Sequence, residues 1–357
     1  MIRSAFIAYA FFSILPLAAL AESSPVISSY FLPPSEFAQL PKVSRLFEIE
    51  HRQGNGFVVD IPADQSPLLL ALAPGAQLME RDVSAAIRRK LQEYRLTAGV
   101  PGYHSFDQVQ DWMHAHQAAR SDLVQVVDYG LSKAGRALTA LHLASEQSKG
   151  KPVVMITAAT HGDELITTEV LMHLVDRLVA AYHKEDRLTK LVDSHDIYFV
   201  PVLNPDGFAS SNRYDGNRDP NRSYPYPNHE NMEPTPSIAG IIKLFSSLNV
   251  KASIDFHAYG ELIMYPWAYT HDPVDPTSRT RFDALTRHMA ETNRYTYGPI
   301  ADVIYVAPGS SADYYFWKKG STSLGIEIGD TKIPSPAKFP EYFESQEEST
   351  WRFLEGI

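Results

Sequence analysis

The run His161-Gly162-Asp163-Glu164 follows directly on the apolar stretch Val153-Val154-Met155-Ile156-Thr157. A histidine nitrogen and a carboxylate oxygen three residues apart can converge on one metal ion when they stand at a strand's end. A third candidate ligand, His257, ends the run Ala252-Ser253-Ile254-Asp255-Phe256 after a long gap. Two close ligands plus one distant one leave a fourth position for water, the arrangement of a catalytic rather than a structural zinc. The chain has no cysteine, so a bound metal must use His, Asp or Glu, and disulfides are excluded.

These residues need a scaffold that brings distant segments together. Apolar strands are expected near 122–128, 136–144, 152–158, 196–202, 251–256 and 323–328, with helices at 164–182, 236–247 and 340–354. Ser105 with Gln108 reads as a capping box that opens a helix running through Ala119. Such alternation implies an α/β fold, a mixed sheet covered on both faces by helices. His161, Asn204, His257 and Glu327 each lie at or just beyond the end of an apolar run, where open α/β sheets bind ligands. All four are expected to converge.

Upstream, residues 45–96 read as a small α+β unit. Leu46–Glu50 and Phe57–Ile61 flank the turn Gln53-Gly54-Asn55-Gly56, Leu68–Leu72 is helical, and Gln77-Leu78-Met79 is a third strand. Asp82 is the expected cap of a helix from Val83 to Tyr94, and Gly99-Val100-Pro101-Gly102 then breaks the chain. The first 21 residues carry Arg3, the apolar run Ala5–Leu15 and Ala19-Leu20-Ala21 before Glu22, the pattern of a secretory signal peptide. The expected division is therefore a signal peptide at 1–21, a linker and small module at 22–98, and a catalytic domain at 99–357. Export to the exterior or the periplasm follows, with no stable membrane insertion once the leader is gone.

At 357 residues and 44% hydrophobic composition the chain supports a sizeable core. Its formal charge of −10 argues against broad nucleic-acid binding, which needs a concentrated basic surface.

Five ordered stretches together resemble the zinc carboxypeptidases, peptidase family M14. They are Thr160–Glu164; Val202-Leu203-Asn204-Pro205-Asp206-Gly207-Phe208; Arg213 through Asp219-Pro220-Asn221-Arg222; Phe256-His257-Ala258-Tyr259 leading to Met264-Tyr265-Pro266-Trp267; and Ile304-Tyr305 followed 22 residues later by Glu327. The resemblance implies a mainly parallel mixed sheet, one Zn2+ per chain held by His161, Glu164 and His257, and Glu327 as general base. It gives Asp219 the role of orienting His161, with a plain loop-turn residue as the alternative, and Arg213 that of stabilising the oxyanion, with Arg218 as competitor. Asn221, Arg222 and Tyr305 would hold the substrate's terminal carboxylate. Ala268, Ile300, Ala312 and Gly325 would surround the terminal side chain. None of these four is charged, so an apolar or aromatic end is expected.

Residues 45–96 resemble the activation segment of secreted members, released near Arg95 by an activating protease; a permanent accessory domain is the alternative. The expected substrate is a peptide, handled by a monomer. Asp163 stands where the digestive branch has arginine, a departure that keeps peptidoglycan stem peptides in view as alternative substrates. A catalytically silent binding protein on the same fold is a third reading, against which the filled catalytic roles speak.

Overall fold

The computed structural model describes residues 25–39, 43, 47–97 and 102–357. The expected signal peptide, the strand residue Leu46 and the break at Gly99–Pro101 lie outside the described residues.

The larger unit is built on an eight-stranded sheet. In chain order its strands follow the four of the small module, β1 (Ile27–Leu32), β2 (Glu48–Gln53), β3 (Gly56–Pro62) and β4 (Gln77–Glu80). They are β5 (Val124–Leu131), β6 (Ala137–Leu143), β7 (Val153–Thr157), β8 (Asp196–Val200), β9 (Val250–His257), β10 (Leu262–Tyr265), β11 (Thr296–Pro299) and β12 (Thr322–Glu327). Their spatial order is β11-β10-β12-β9-β7-β8-β6-β5. The centre is parallel, β8 with β7, β7 with β9 and β9 with β12, while β5, β6 and β10 join antiparallel. The central strands read as near-continuous apolar runs because both faces are covered. Helices Leu165–Ala181, Pro276–Asn293 and Phe339–Glu355 share one core with Val154, Ile156, Ile254 and Leu324. On the opposite face Pro236–Ser247 and Ser311–Lys319 pack Ile238, Ile241, Phe245 and Tyr315 against Met155 and Val200.

The expected strands and helices are present, and the box of Ser105 with Gln108 caps Phe106–Ala119 as read from the sequence. Seven further strands and α-helices of this unit fill spans for which the sequence reading offered nothing: helices Asp186–Ser194, Pro205–Ser210, Pro276–Asn293, Ile300–Val303 and Ser311–Lys319, and strands β10 and β11.

The small module is a second, four-stranded sheet of order β2-β3-β1-β4, with helices Ser66–Leu72 and Val83–Thr97. It begins earlier than the sequence suggested. β1, in the Ser/Pro-rich lead, is an inner strand, paired with β3 and β4 and contributing Tyr30 and Leu32 to a core with Val59, Ile61 and Leu69. The adjacent Ser28 and Ser29 are buried and disguise it; Ser28 is satisfied by donating to the Arg81 carbonyl.

Candidate metal centre and active site

Parallel pairing in register sets the site. β9 and β12 run side by side with Glu327 opposite His257, so a carboxylate stands beside a candidate ligand at two adjacent strand ends. β7 delivers the chain to Thr160, after which His161-Gly162-Asp163-Glu164 turns into helix Leu165–Ala181. Glycine is required at 162, where a Cβ would lie 2.1 Å from the Gly207 carbonyl carbon and 2.2 Å from the Phe208 nitrogen. Asn204 is not part of the catalytic cluster, contrary to expectation. Its Oδ1 accepts from the Gly207 amide at 3.0 Å and caps helix Pro205–Ser210, so it shapes the wall on which Gly162 packs.

His161, Glu164 and His257 converge, all three buried. Glu164 Oε1 lies 2.8 Å from His161 Nδ1, Glu164 Oε2 lies 3.2 Å from His257 Nδ1, and the two Nδ1 atoms are 3.2 Å apart. Ligands at about 2.1 Å in a tetrahedral array sit roughly 3.4 Å from one another, so this spacing fits a zinc ion. The same residues border a cavity of about 360 Å³, which leaves one side of the triad open to a small molecule.

Asp219 lies behind His161, with Oδ1 3.1 Å from His161 Nε2 and also accepting from the Asn221 amide at 2.7 Å. Its Oδ2 accepts from Arg213 Nε at 2.8 Å. Arg213 is buried, with Nη1 3.6 Å from Glu164 Oε1. Arg218 instead donates to the Glu233 carbonyl and does not border the cavity. Burial alone would raise both carboxyls, but His161 and His257 beside Glu164, and Arg213 with His161 beside Asp219, outweigh it and hold both well below the usual carboxylate range.

Across the cavity, Arg222 Nη2 donates to the Tyr305 hydroxyl at 3.0 Å. The amide of Asn221 is oriented by Ser311, whose N–H donates to Asn221 Oδ1 at 2.9 Å. Gly309, with φ of +86°, lets the loop before Ser310 close onto the Arg222 backbone, which a Cβ there would meet at 2.7 Å. Glu327 borders the cavity too.

The apolar end of the cavity is lined by Ile300, Ala312 and Gly325, joined by Met264 and Ala307, which the sequence reading missed. Ala268 is fully buried in the cluster behind that wall and does not line it. Asp313, next to Ala312 in the chain, does not line the cavity: its two oxygens accept from the Ala268 and Tyr269 amides at 2.8 and 2.9 Å, while Asp302, which does border it, has Oδ1 2.8 Å from His271 Nδ1. Burial pushes the Asp313 carboxyl up to about 7, opposed by those two amides.

Asp163 also faces away from the cavity. It is buried, and its Oδ2 accepts from Lys332 Nζ at 2.7 Å. Lys332 in turn lies 3.8 Å from Asp60 of the small module. That module sits over the site: Phe57 of β3 borders the cavity, and the Tyr305 hydroxyl donates to the Ile49 carbonyl of β2. Tyr94 and Asn212 add hydrogen bonds to the Ile333 and Pro25 carbonyls.

A family profile described as zinc carboxypeptidase matches residues 109–349. Metallocarboxypeptidase A of Trichophyton rubrum is 28% identical over 330 residues, covering 78% of each chain. Carboxypeptidase A1 of Rattus norvegicus is 24% identical over 363 residues, covering 83% of this chain and 84% of that protein. Among solved structures, the fold is shared with carboxypeptidase A from Helicoverpa armigera at a TM-score of 0.75 and 18% identity, covering 94% of this chain and 98% of the other. Thrombin-activatable fibrinolysis inhibitor aligns at a TM-score of 0.72 and 18% identity, covering 93% and 98%.

Proposed function

The chain belongs to the zinc carboxypeptidase family, and we propose on that footing how its own residues divide the work. It is a zinc-dependent metallocarboxypeptidase acting on the C-termini of peptides, with His161, Glu164 and His257 as the zinc triad. Zinc bound there supplies Lewis acidity, polarising a carbonyl and lowering the pKa of a water. Glu327 takes the proton from the attacking water and returns it to the leaving amine, a task its place beside His257 in the sheet register supports. Arg213, buried against Glu164 and Asp219, stabilises the oxyanion as charge develops. Asp219 fixes the tautomer of His161.

An exopeptidase must also recognise a free terminal carboxylate. The amide of Asn221, the forked guanidinium of Arg222 and the phenol of Tyr305 form that clamp. The observation that carries the whole assignment is their convergence, with the zinc triad and Glu327, on one cavity of about 360 Å³. Its apolar wall favours an apolar or aromatic terminal side chain, and Asp313 offers no carboxylate to a basic one because both its oxygens are committed to backbone amides. Asp163 gives no support to peptidoglycan peptides, since it is turned toward Lys332 and away from the cavity.

The small module acts as a pro-domain whose β2–β3 hairpin shields the cleft, and its leader marks the protein for export. Among the described residues no helix is long and apolar enough to cross a membrane. The test is to incubate zinc-loaded protein, freed of the module, with peptides ending in Phe, Leu, Arg or Glu, with C-terminally amidated copies, and with muropeptides. Release of Phe and Leu from the free-acid peptides alone is expected. Equal cleavage of amidated peptides would remove the clamp assignment, and faster release of Arg than Phe would overturn the pocket assignment.

A further inference from the structure

One buried carboxylate, Asp255, lies against His257 of the metal centre and against Ser311 beside the clamp. Asp255 lies two residues before His257 on β9, so the two side chains leave the strand on the same face. Asp255 is buried and surrounded by donors on both oxygens. Thr157 and Thr160 donate their hydroxyls to Oδ1 at 2.7 and 2.8 Å, and Ser311 donates its hydroxyl to Oδ2 at 2.6 Å. The fourth neighbour is His257 Nε2, 3.1 Å from Oδ2.

His257 turns Nδ1 toward His161 and Glu164, so a metal held there leaves the ring proton on Nε2, facing Asp255. A second neighbour of Nε2, the Asn221 amide nitrogen at 3.3 Å, is itself a donor, because Asn221 Oδ1 is committed to the Ser311 N–H. Asp255 is therefore the acceptor for the imidazole proton, and the Asn221 amide group keeps its hydrogens for a ligand in the cavity. Ser311 closes the circuit. Its hydroxyl is held by Asp255 while its backbone N–H holds Asn221.

We infer that Asp255 is a positioning residue shared by the metal centre and the end-group clamp, fixing His257 directly and Asn221 through Ser311. A buried carboxylate is costly unless it is paired and hydrogen-bonded, and these four neighbours meet that cost. The geometry repeats on His257 what Asp219 does for His161, with one addition: the same carboxylate also sets the amide that meets the substrate's end. This second half rests on the reading of Asn221 as part of the clamp, whereas the first half rests on the zinc triad alone.

Three full-chain variants separate the halves: Asp255→Asn, Ser311→Ala and Asn221→Ala, each measured for zinc dissociation constant by chelator competition and, after removal of the module, for kcat and KM on a peptide with a free C-terminus. Asp255→Asn is expected to weaken zinc about 10- to 100-fold, the range found when an outer partner of a metal histidine is lost, and to raise KM as well. Ser311→Ala should raise KM several-fold with zinc affinity within twofold of the wild type. Zinc affinity unchanged in Asp255→Asn would overturn the inference. A KM unchanged in Ser311→Ala but raised in Asn221→Ala would overturn the shared role, while a KM unchanged in Asn221→Ala would remove the clamp reading and leave the metal result standing. Should Asp255→Asn fail to fold, Thr160→Val keeps the carboxylate but removes one of its donors. A several-fold weaker zinc affinity is expected there, and no change counts against the inference.

Discussion

At the scale of single residues, the site divides into groups that hold and groups that react, and substitution should separate them. Glu327 lies beside His257 but outside the triad, so Glu327→Gln is expected to retain about one zinc per chain while peptide hydrolysis falls by at least roughly 10³-fold, taking general base catalysis and the oriented water together. Metal content by elemental analysis beside a rate assay tests this; retained activity would remove the assignment. Ala312 borders the apolar end of the cavity, and Ala312→Asp places there a carboxylate that Asp313 does not provide. The expected outcome is a reversal of preference from Phe toward Arg ends, read as the ratio of kcat/KM for the two peptides. The triad was legible because His161 and Glu164 stand three residues apart just beyond one apolar run and His257 ends another, and because the further ordered motifs turned a pair that could have arisen by chance into part of a family pattern. Asp255 was not, since an acid within such a run shows its partners only once Thr157, Thr160 and Ser311 are folded around it. Asn204 misled for the opposite reason. An asparagine ahead of Pro205 reads equally as a ligand or as a cap, and here it is the cap.

At the scale of elements, the legible ones carried a local signal. Continuous apolar runs marked β7, β9 and β12, and a Ser-x-x-Gln box marked the helix Phe106–Ala119. β10 and β11 are short strands whose pairing with β12 and with one another comes from distant chain, so no local period announces them. Helix Pro276–Asn293 is polar on most positions, yet Asp275 before Pro276 caps it through the Thr277 and Ser278 amides, a start signal that could have found it.

The start of helix Phe106–Ala119 is also pinned from outside. Glu169 accepts from both the His104 backbone N–H and its Nδ1, each at 2.8 Å. The hydrogen bond to Glu169 leads in raising the His104 pKa above its usual 6.5, against some loss from burial. Because the folded state then binds the proton more tightly than the unfolded chain, the stabilisation is full below about 6.5 and is lost as pH rises through the raised value. Replacing His104 with Gln should therefore cost more in melting temperature at pH 6 than at pH 9; an equal cost at both would show that the pair contributes as a neutral hydrogen bond.

At the scale of the whole molecule, the two units meet through the cleft itself. The module places Phe57 at the cavity, Ile49 on Tyr305 and Asp60 near Lys332. Arg95, near the end of helix Val83–Thr97, is exposed and is the expected point of release. Limited trypsin treatment should thus raise activity on a free-acid peptide by an order of magnitude or more, followed in parallel by gel and by rate; an unchanged rate would make the module a permanent accessory. Reading the sequence found this module by its strand–turn–strand pattern but could not find what it faces, because contacts such as Tyr305 with Ile49 join residues far apart in the chain.

The Tyr305 hydroxyl has a consequence for release of the module. On the clamp proposed above, it cannot give its one proton to the Ile49 carbonyl and to a peptide's terminal carboxylate at once, which would make module and substrate rivals for a single donor. While the connector is intact that rivalry is intramolecular, and a short tether holds the module at an effective concentration on the order of millimolar. Once the connector is cut, the module is expected to leave, and the cleft to open, as the protein is diluted. Cut protein should show less activity per molecule as its total concentration rises, and added free module should restore inhibition that substrate relieves.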